Sequence, residues 1–288
     1  MEIDRKELKR QAREAMRLPK PNFWVVTLVY LLMTTGLSML LSAIPFTPGK
    51  SGFSTGGLFV NILYGLYYGV VSFGFTLWCL WAHRRLEPGL NSLTQGFSIT
   101  GRVLLLKINI YLRILLITMG VAMVVAMLLM PLAMFSPFVA VLIPLVCVGI
   151  VIAISLRYAL APFLLADNPD AGPALAIRRS VELMQGWKME LFKLDLSFLG
   201  WNLINFALSS IVMLFFLGQA GLLSFSTITD LTQFQLTLQA VVNSPVVSLC
   251  TAVVTLPLSL WLLPYQEISH ASFYDARLRW QRESAPTL

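Results

Sequence analysis

Six long runs of apolar residues constrain the fold of this chain more than any other feature of its sequence. Each run can cover a hydrocarbon core of ~30 Å, which takes roughly 20 helical residues. A helix is the expected spanning element, because lipid offers no hydrogen-bond partner to an open backbone. The runs are predicted, in chain order, at Phe23–Ile44, Leu58–Ala82, Val103–Phe135, Phe138–Ala166, Leu196–Leu217 and Val241–Leu263.

Composition favours the same class of protein. Hydrophobic residues make up 57% of the chain and charged residues 12%, whereas charged residues are about 25% of a soluble domain. A soluble fold of 288 residues could not bury this much apolar surface. We therefore predict an all-α fold, a polytopic transmembrane helix bundle of about six spans with amphipathic cytoplasmic helices.

The sequence predicts a single membrane domain over residues 1–288. Residues 1–21 are predicted to form a basic amphipathic helix, and residues 22–265 form the bundle. The bundle includes a second amphipathic helix within 167–188. Residues 266–288 are predicted to be a cytoplasmic tail.

The positions of Lys and Arg predict the orientation of the bundle. Of the 21 basic residues, all but Lys50 fall at one end of the predicted bundle. Cytoplasmic loops carry the excess of Lys and Arg in membrane proteins. We therefore expect this end, together with both termini, to lie in the cytoplasm.

The net charge of +7 needs no nucleic acid to explain it. Basic segments beside a membrane are attracted to anionic lipid by roughly 1 kcal/mol per residue. The expected partners are therefore membrane lipids with anionic headgroups. A membrane protein partner or a second copy of this chain is an alternative.

The N-terminal segment has the pattern of an amphipathic helix. Leu8, Ala12, Ala15 and Met16 share one arc when projected on a helix. This pattern predicts a helix lying on the inner membrane surface. The alternative is a solvated basic leader that only fixes the topology.

A second amphipathic helix is predicted after span four, from Pro173 to Gln185. Asp170 is a candidate N-terminal cap, and Gly186 a candidate for its end. Three residues near this helix are predicted to anchor the chain at the inner interface: Arg157, Trp187 and Lys188.

Two spans carry a polar face within otherwise apolar sequence. The face on span five consists of Asp195, Asn202, Asn205 and Ser209, and the face on span three of Arg102, Asn109 and Arg113. We hypothesise that the two faces meet and line a cleft that opens inward and admits an anionic headgroup or a small anionic solute. The alternative is that these side chains only form hydrogen bonds between helices.

No pattern of catalytic or metal-binding residues is evident. The two histidines, His83 and His270, both fall near the inner ends of predicted spans, and neither lies beside a metal-binding motif. The three cysteines occur singly in different spans. We therefore expect neither enzymatic activity, nor a metal site, nor a cofactor.

The segment between spans five and six, residues 218–240, permits two interpretations. Leu231, Phe234 and Leu238 have helical spacing. Phe234, Leu236 and Leu238 also alternate as in a strand. The sequence leaves both open.

Several short motifs resemble the bacterial membrane-protein family known as domain of unknown function 975. The motifs are Arg85-Leu86-Glu87, Gly96-Phe97, Arg157-Tyr158, Leu165 to Pro169, Ala176-Ile177 with Ser180, Leu183 to Lys188, Leu191-Phe192, Asp195 to Trp201, Leu263-Pro264-Tyr265 and Ala271 to Tyr274. The resemblance implies a bacterial inner-membrane protein with about six spans. It implies no reaction.

The expected function is that of a noncatalytic accessory or scaffold protein, which interacts with lipids or partner proteins at the cytoplasmic face. The absence of a catalytic constellation favours this class. The alternative is a transporter that moves a lipid or a small anionic solute through the cleft between spans three and five.

Overall fold

A computed structural model describes residues 4–17, 22–42, 55–86, 88–133, 137–222 and 231–284. Every regular element within these ranges is a helix, which confirms the predicted all-α class. The helices are α1 (Arg5–Ala15), α2 (Phe23–Leu31), α3 (Leu37–Ser42), α4 (Thr55–His83), α5 (Ser92–Ser98), α6 (Thr100–Ala133), α7 (Pro137–Tyr158), α8 (Ala161–Asp167), α9 (Pro173–Leu183), α10 (Lys188–Leu196), α11 (Leu199–Gln219), α12 (Leu231–Val242) and α13 (Pro245–Ser284). A π-helical turn, Leu32–Gly36, joins α2 to α3.

Within the described ranges, six helical segments are long and apolar enough to cross a membrane, as the sequence predicted. They are Phe23–Leu41, Gly56–His83, Thr100–Leu128, Leu145–Asp167, Leu199–Gln219 and Pro245–Glu283. The strand interpretation of residues 218–240 is wrong where the structure describes them, because residues 231–242 form the helix α12.

The buried side chains are concentrated at one end of the bundle, which we call the charged end. It is formed by α1, α8, α9, α10 and the C-terminal halves of α4 and α13. In contrast, α11 has no buried residue. The charged end is therefore the part of the bundle that protein contacts hold together most firmly.

Two glycines allow the closest helix contact at this end. A Cβ atom added to Gly74 of α4 would lie 2.2 Å from the carbonyl oxygen of Leu93. One added to Gly96 of α5 would lie 2.7 Å from the carbonyl oxygen of Val70. The backbones of α4 and α5 approach so closely only because neither position has a side chain.

The N-terminal helix α1 packs onto the bundle. Asp4 caps it by accepting a hydrogen bond from the Lys6 backbone at 2.9 Å. Its apolar residues Leu8, Ala12 and Ala15 are buried, and the helix contacts α13 and α4. The predicted helix is confirmed, and its apolar face is covered by protein. Its position on the membrane surface stays a prediction.

The predicted cytoplasmic tail is helical where the structure describes it. Residues 266–284 continue α13 without interruption. Ile268, Ala271, Phe273 and Tyr274 of this segment are buried. The helix therefore continues past the apolar run that defines span six, and its residues from Ile268 to Arg277 pack against protein.

The second amphipathic helix forms as α9, from Pro173 to Leu183. Gly172 precedes it with φ +81°, and no side chain caps it. The predicted capping role of Asp170 is therefore wrong. Gly186 follows the helix with φ +80°, a conformation that favours glycine, and this agrees with the predicted end.

Candidate functional site

The charged end contains an ion network centred on Arg84, the residue that follows α4. Its Nη2 atom lies 2.8 Å from Oδ2 of Asp167 on α8 and 2.7 Å from Oδ1 of Asp275 on α13. Its Nε atom donates to Oδ2 of Asp275 at 3.1 Å. One guanidinium group thus joins the ends of three helices.

Neighbouring side chains complete this Arg84 network. The Tyr274 hydroxyl donates to Oδ2 of Asp167 at 2.9 Å. His83 Nε2 lies 3.6 Å from Oδ2 of Asp275, and His83 Nδ1 lies 3.1 Å from Oγ of Ser272. The hydrogen bonds from Asp275 and Asp167 raise the pKa of Arg84 above its usual value, so its side chain stays charged.

Arg277 forms a second brace at the charged end. Its Nε and Nη2 atoms donate to the carbonyl oxygen of Leu183 at 3.1 and 2.9 Å. Its guanidinium carbon lies 4.4 Å from the ring centre of Trp187 and 4.8 Å from that of Trp280. These contacts combine a charged hydrogen bond with two cation–π interactions. They fix the end of α9 against α13.

An interior network lies deeper in the bundle. His270 Nε2 lies 2.6 Å from Oδ1 of Asp195, and His270 Nδ1 lies 3.9 Å from Oε2 of Glu267. The Thr76 hydroxyl donates to Oε1 of Glu267 at 2.6 Å. Lys107 of α6 comes close enough for its charge to act on Glu267. We call these five residues the interior network.

The helical rise gives the depth of this network. Glu267 precedes Asp275 by eight residues on α13, and Thr76 precedes His83 by seven on α4. At 1.5 Å per residue these spacings correspond to roughly 12 and 10 Å. Glu267 and Thr76 of the interior network therefore lie about two helical turns below the Arg84 network.

A cavity of about 200 Å³ opens between α1, the end of α4 and α13. It is lined by Gln11, Glu14, Ala15, His83, Arg84, Arg85, Asp275 and Arg279. Arg85 and Arg279 are exposed. Arg85 Nη2 lies 3.7 Å from Oε2 of Glu14, whereas Arg279 has no carboxylate within 4.0 Å in the described part of the chain. The cavity thus presents two arginines that internal carboxylates pair weakly or not at all.

The predicted polar face of span three lies on α6. Arg102 is exposed and donates to Oδ1 of Asp170 at 2.9 Å. Asn109 donates to the carbonyl oxygen of Leu105 in its own helix at 3.3 Å. Arg113 is exposed. These contacts are local to α6 and to the turn before α9.

The predicted polar face of span five divides into two parts. Asp195 belongs to the interior network. Asn205 donates to Oγ of Ser259 on α13 at 3.3 Å, and the Ser209 hydroxyl donates to the carbonyl oxygen of Asn205 at 3.0 Å. Asn202 is exposed. At Asn205 the structure therefore agrees with the alternative prediction, in which these side chains form hydrogen bonds between helices.

The two faces lie on helices with different main packing partners. Those of α6 are α7, α4 and α9, whereas those of α11 are α13 and α12. The cleft between spans three and five therefore stays a prediction, one that direct packing of α6 against α11 does not support. Helical spacing shows which residues share a face, but it does not show which helix that face meets.

The predicted interface anchors have other neighbours in the structure. Trp187 packs on Arg277 and Trp280. The carbonyl oxygen of Arg157 accepts a hydrogen bond from Ser180 at 2.9 Å, which holds α7 against α9. Lys188 is the first residue of α10. The contact of these residues with an interface stays a prediction.

Sequence reasoning missed most members of the two networks. Arg84, Asp167, Asp275 and Glu267 were not predicted as site residues. The signal in the sequence was that Asp167, Asp275 and Glu267 have apolar or basic neighbours, because a carboxylate in such a place needs a partner. The sequence could not show which partner each one takes.

The model of the family described as "Protein of unknown function (DUF975)" matches residues 1–279. No curated protein and no solved structure matches the chain. The family match covers both networks and all six candidate spans except the last residues of the sixth. It confirms the resemblance of the sequence motifs, and the chain belongs to the family Protein of unknown function (DUF975).

Proposed function

We propose that this chain is a noncatalytic multi-pass protein of the bacterial cell membrane that binds anionic lipid headgroups at its cytoplasmic face. In this role it acts as an accessory or scaffold protein. The observation that carries the proposal is the pair Arg85 and Arg279, exposed around a cavity whose base is the tightly joined Arg84 network.

The chemistry of the cavity suits a phosphate group. Guanidinium groups bind phosphate oxygens through paired hydrogen bonds. Arg84 is already held by two carboxylates, so the groups available to a ligand are Arg85 and Arg279. Arg85 adopts φ +58°, an uncommon conformation for a residue with a side chain. The fixed base of the cavity reduces the entropy lost when a headgroup binds.

Transport through a cleft between spans three and five is not part of this proposal. That alternative required α6 and α11 to face each other. Their main packing partners are different helices.

Native mass spectrometry of the full chain tests the proposal. The protein would be released from nanodiscs that contain phosphatidylglycerol and phosphatidylcholine in equal amounts. We expect phosphatidylglycerol to remain bound preferentially. The double variant Arg85→Gln/Arg279→Gln should weaken that binding by about 30-fold or more, because each substitution removes a direct charged hydrogen bond to phosphate that contributes roughly 1 kcal/mol or more.

The matched control is Arg178→Gln/Arg179→Gln, which removes the same charge from exposed positions on α9. This control should retain binding within about threefold, because roughly 0.6 kcal/mol corresponds to that factor. Equal losses in the two double variants would contradict binding at the cavity. No preference for phosphatidylglycerol would contradict the proposal as a whole.

A further inference from the structure

The interior network is a separate feature from the basic cavity, and lipid binding makes no use of it. It joins a histidine to two carboxylates at the junction of α4, α6, α10 and α13. Ionisable side chains within membrane-spanning segments are costly and are often functional. The network therefore needs an explanation other than headgroup binding.

Exposure decreases along the chain of groups. The Asp195 side chain is 42% exposed, that of His270 29% and that of Glu267 27%. Asp195 lies near the end of α10, at the charged end. Asp195 is therefore the least covered by protein of the three groups.

We propose that the interior network is a proton-transfer path that begins at Asp195 and passes through His270 to Glu267. The proton on the Asp195 carboxyl group moves to Nε2 of His270, while Nδ1–H of the same ring gives its proton to Oε2 of Glu267. Asp195 is left ionised, His270 neutral in its other tautomer and Glu267 protonated. One proton leaves Asp195 and one proton reaches Glu267, so the step balances without an oxidant or a reductant.

The geometry fits these two steps unequally. The distance of 2.6 Å between His270 and Asp195 is a hydrogen bond that is ready for transfer. The distance of 3.9 Å between His270 and Glu267 is longer, and one bridging water or a small rotation of the Glu267 side chain closes it. Thr76 holds the other oxygen of Glu267 in place.

Other polar groups surround the path on the packed helices. Lys107 faces Glu267 from α6, close enough for the two charges to interact. Cys79 of α4 is buried near the same carboxylate. Lys9 of α1 donates to the carbonyl oxygen of Ser197 at 3.3 Å, beside the entrance at Asp195.

A series of tyrosines continues the path toward the opposite end of the bundle. Tyr30 of α2 has Glu267 of α13 and Tyr68 of α4 as neighbours. The Tyr64 hydroxyl donates to the carbonyl oxygen of Thr34 at 3.2 Å. Tyr68 and Tyr64 lie roughly 12 and 18 Å from Thr76 along α4 by the helical rise. Each hydroxyl both donates and accepts, as a proton path requires.

Proton flux into proteoliposomes tests this proposal. The full chain would be reconstituted with a pH-sensitive dye inside, a pH gradient, and valinomycin with potassium to prevent charge accumulation. We expect the gradient to collapse faster than in protein-free vesicles. Glu267→Gln should reduce the protein-dependent rate about tenfold or more, because a positioned acid–base group contributes at least ~10²-fold in enzymes.

Asp195→Asn is the second variant, because asparagine can still hydrogen-bond His270 and should preserve the fold. The controls Glu182→Gln and Asp170→Asn make the same changes at exposed ion pairs on the surface. They should leave the rate unchanged. The proposal is overturned if wild-type vesicles lose the gradient no faster than empty ones, or if Glu267→Gln matches Glu182→Gln. Preferential binding of phosphatidylglycerol would be unaffected by either result, so the two proposals fail separately.

Discussion

Replacement of Arg84 by methionine is expected to lower the free energy of unfolding by about 3 kcal/mol. Methionine replaces the apolar part of the side chain but leaves Asp167 and Asp275 without the cation that joins them. The Asp275 side chain is only 12% exposed, so water can compensate little of the loss. Denaturation of the purified protein in detergent, followed by circular dichroism, measures the change.

The matched control for this prediction is Arg178→Met. Arg178 pairs with Glu182 on the surface of α9, where the two side chains are 79% and 56% exposed. Exposed pairs at this spacing contribute roughly 0.3–0.5 kcal/mol. If the two variants lose equal stability, the Arg84 network does not hold the charged end together.

Replacement of Ala12 by aspartate should detach α1 from the bundle. Ala12 is fully buried where α1 packs on α13 and α4. Burial of a carboxylate at this position costs several kcal/mol. We expect faster hydrogen exchange both in α1 and in the part of α13 around Asp275.

Lys6→Asp is the control on the same helix, because Lys6 is exposed. It should leave hydrogen exchange in α13 unchanged. The hydrogen exchange of α13 distinguishes the docked helix from a helix that lies on the membrane surface. If Ala12→Asp leaves exchange in α13 unchanged, α1 does not pack on the bundle.

Hydropathy and helical spacing predicted the elements of this fold well. The six apolar runs correspond to the six candidate spans, because the length of an apolar helix is a local property of the sequence. The end of α9 near Gly186 was also predicted from local sequence, because glycine adopts a positive φ angle more readily than other residues. Leu8 and Ala12 were correctly placed on one apolar face.

The candidate site could be predicted only in part. Asp195 and His270 were noticed separately, but 75 positions separate them in sequence. Arg84 and Asp275 are 191 positions apart. Helical spacing could not show that the face of α1 meets protein, or that Asn205 meets Ser259 on α13. These facts depend on the order in which helices pack, which no single helix encodes.

The two proposals place different chemistry at one end of the bundle. The exposed arginines around the cavity suit an anionic headgroup. The interior network suits a proton. Both depend on the charged end facing the cytoplasm, which is the central claim of the functional account.

Cysteine labelling in intact bacterial cells tests that claim most directly. Cys79, Cys147 and Cys250 would first be replaced, and single cysteines then introduced by Glu182→Cys on α9 or Gln219→Cys at the opposite end of α11. We expect a membrane-impermeant maleimide to label Gln219→Cys in intact cells and to label Glu182→Cys only after the cells are opened. Labelling of Glu182→Cys in intact cells, with Gln219→Cys protected, would contradict the account.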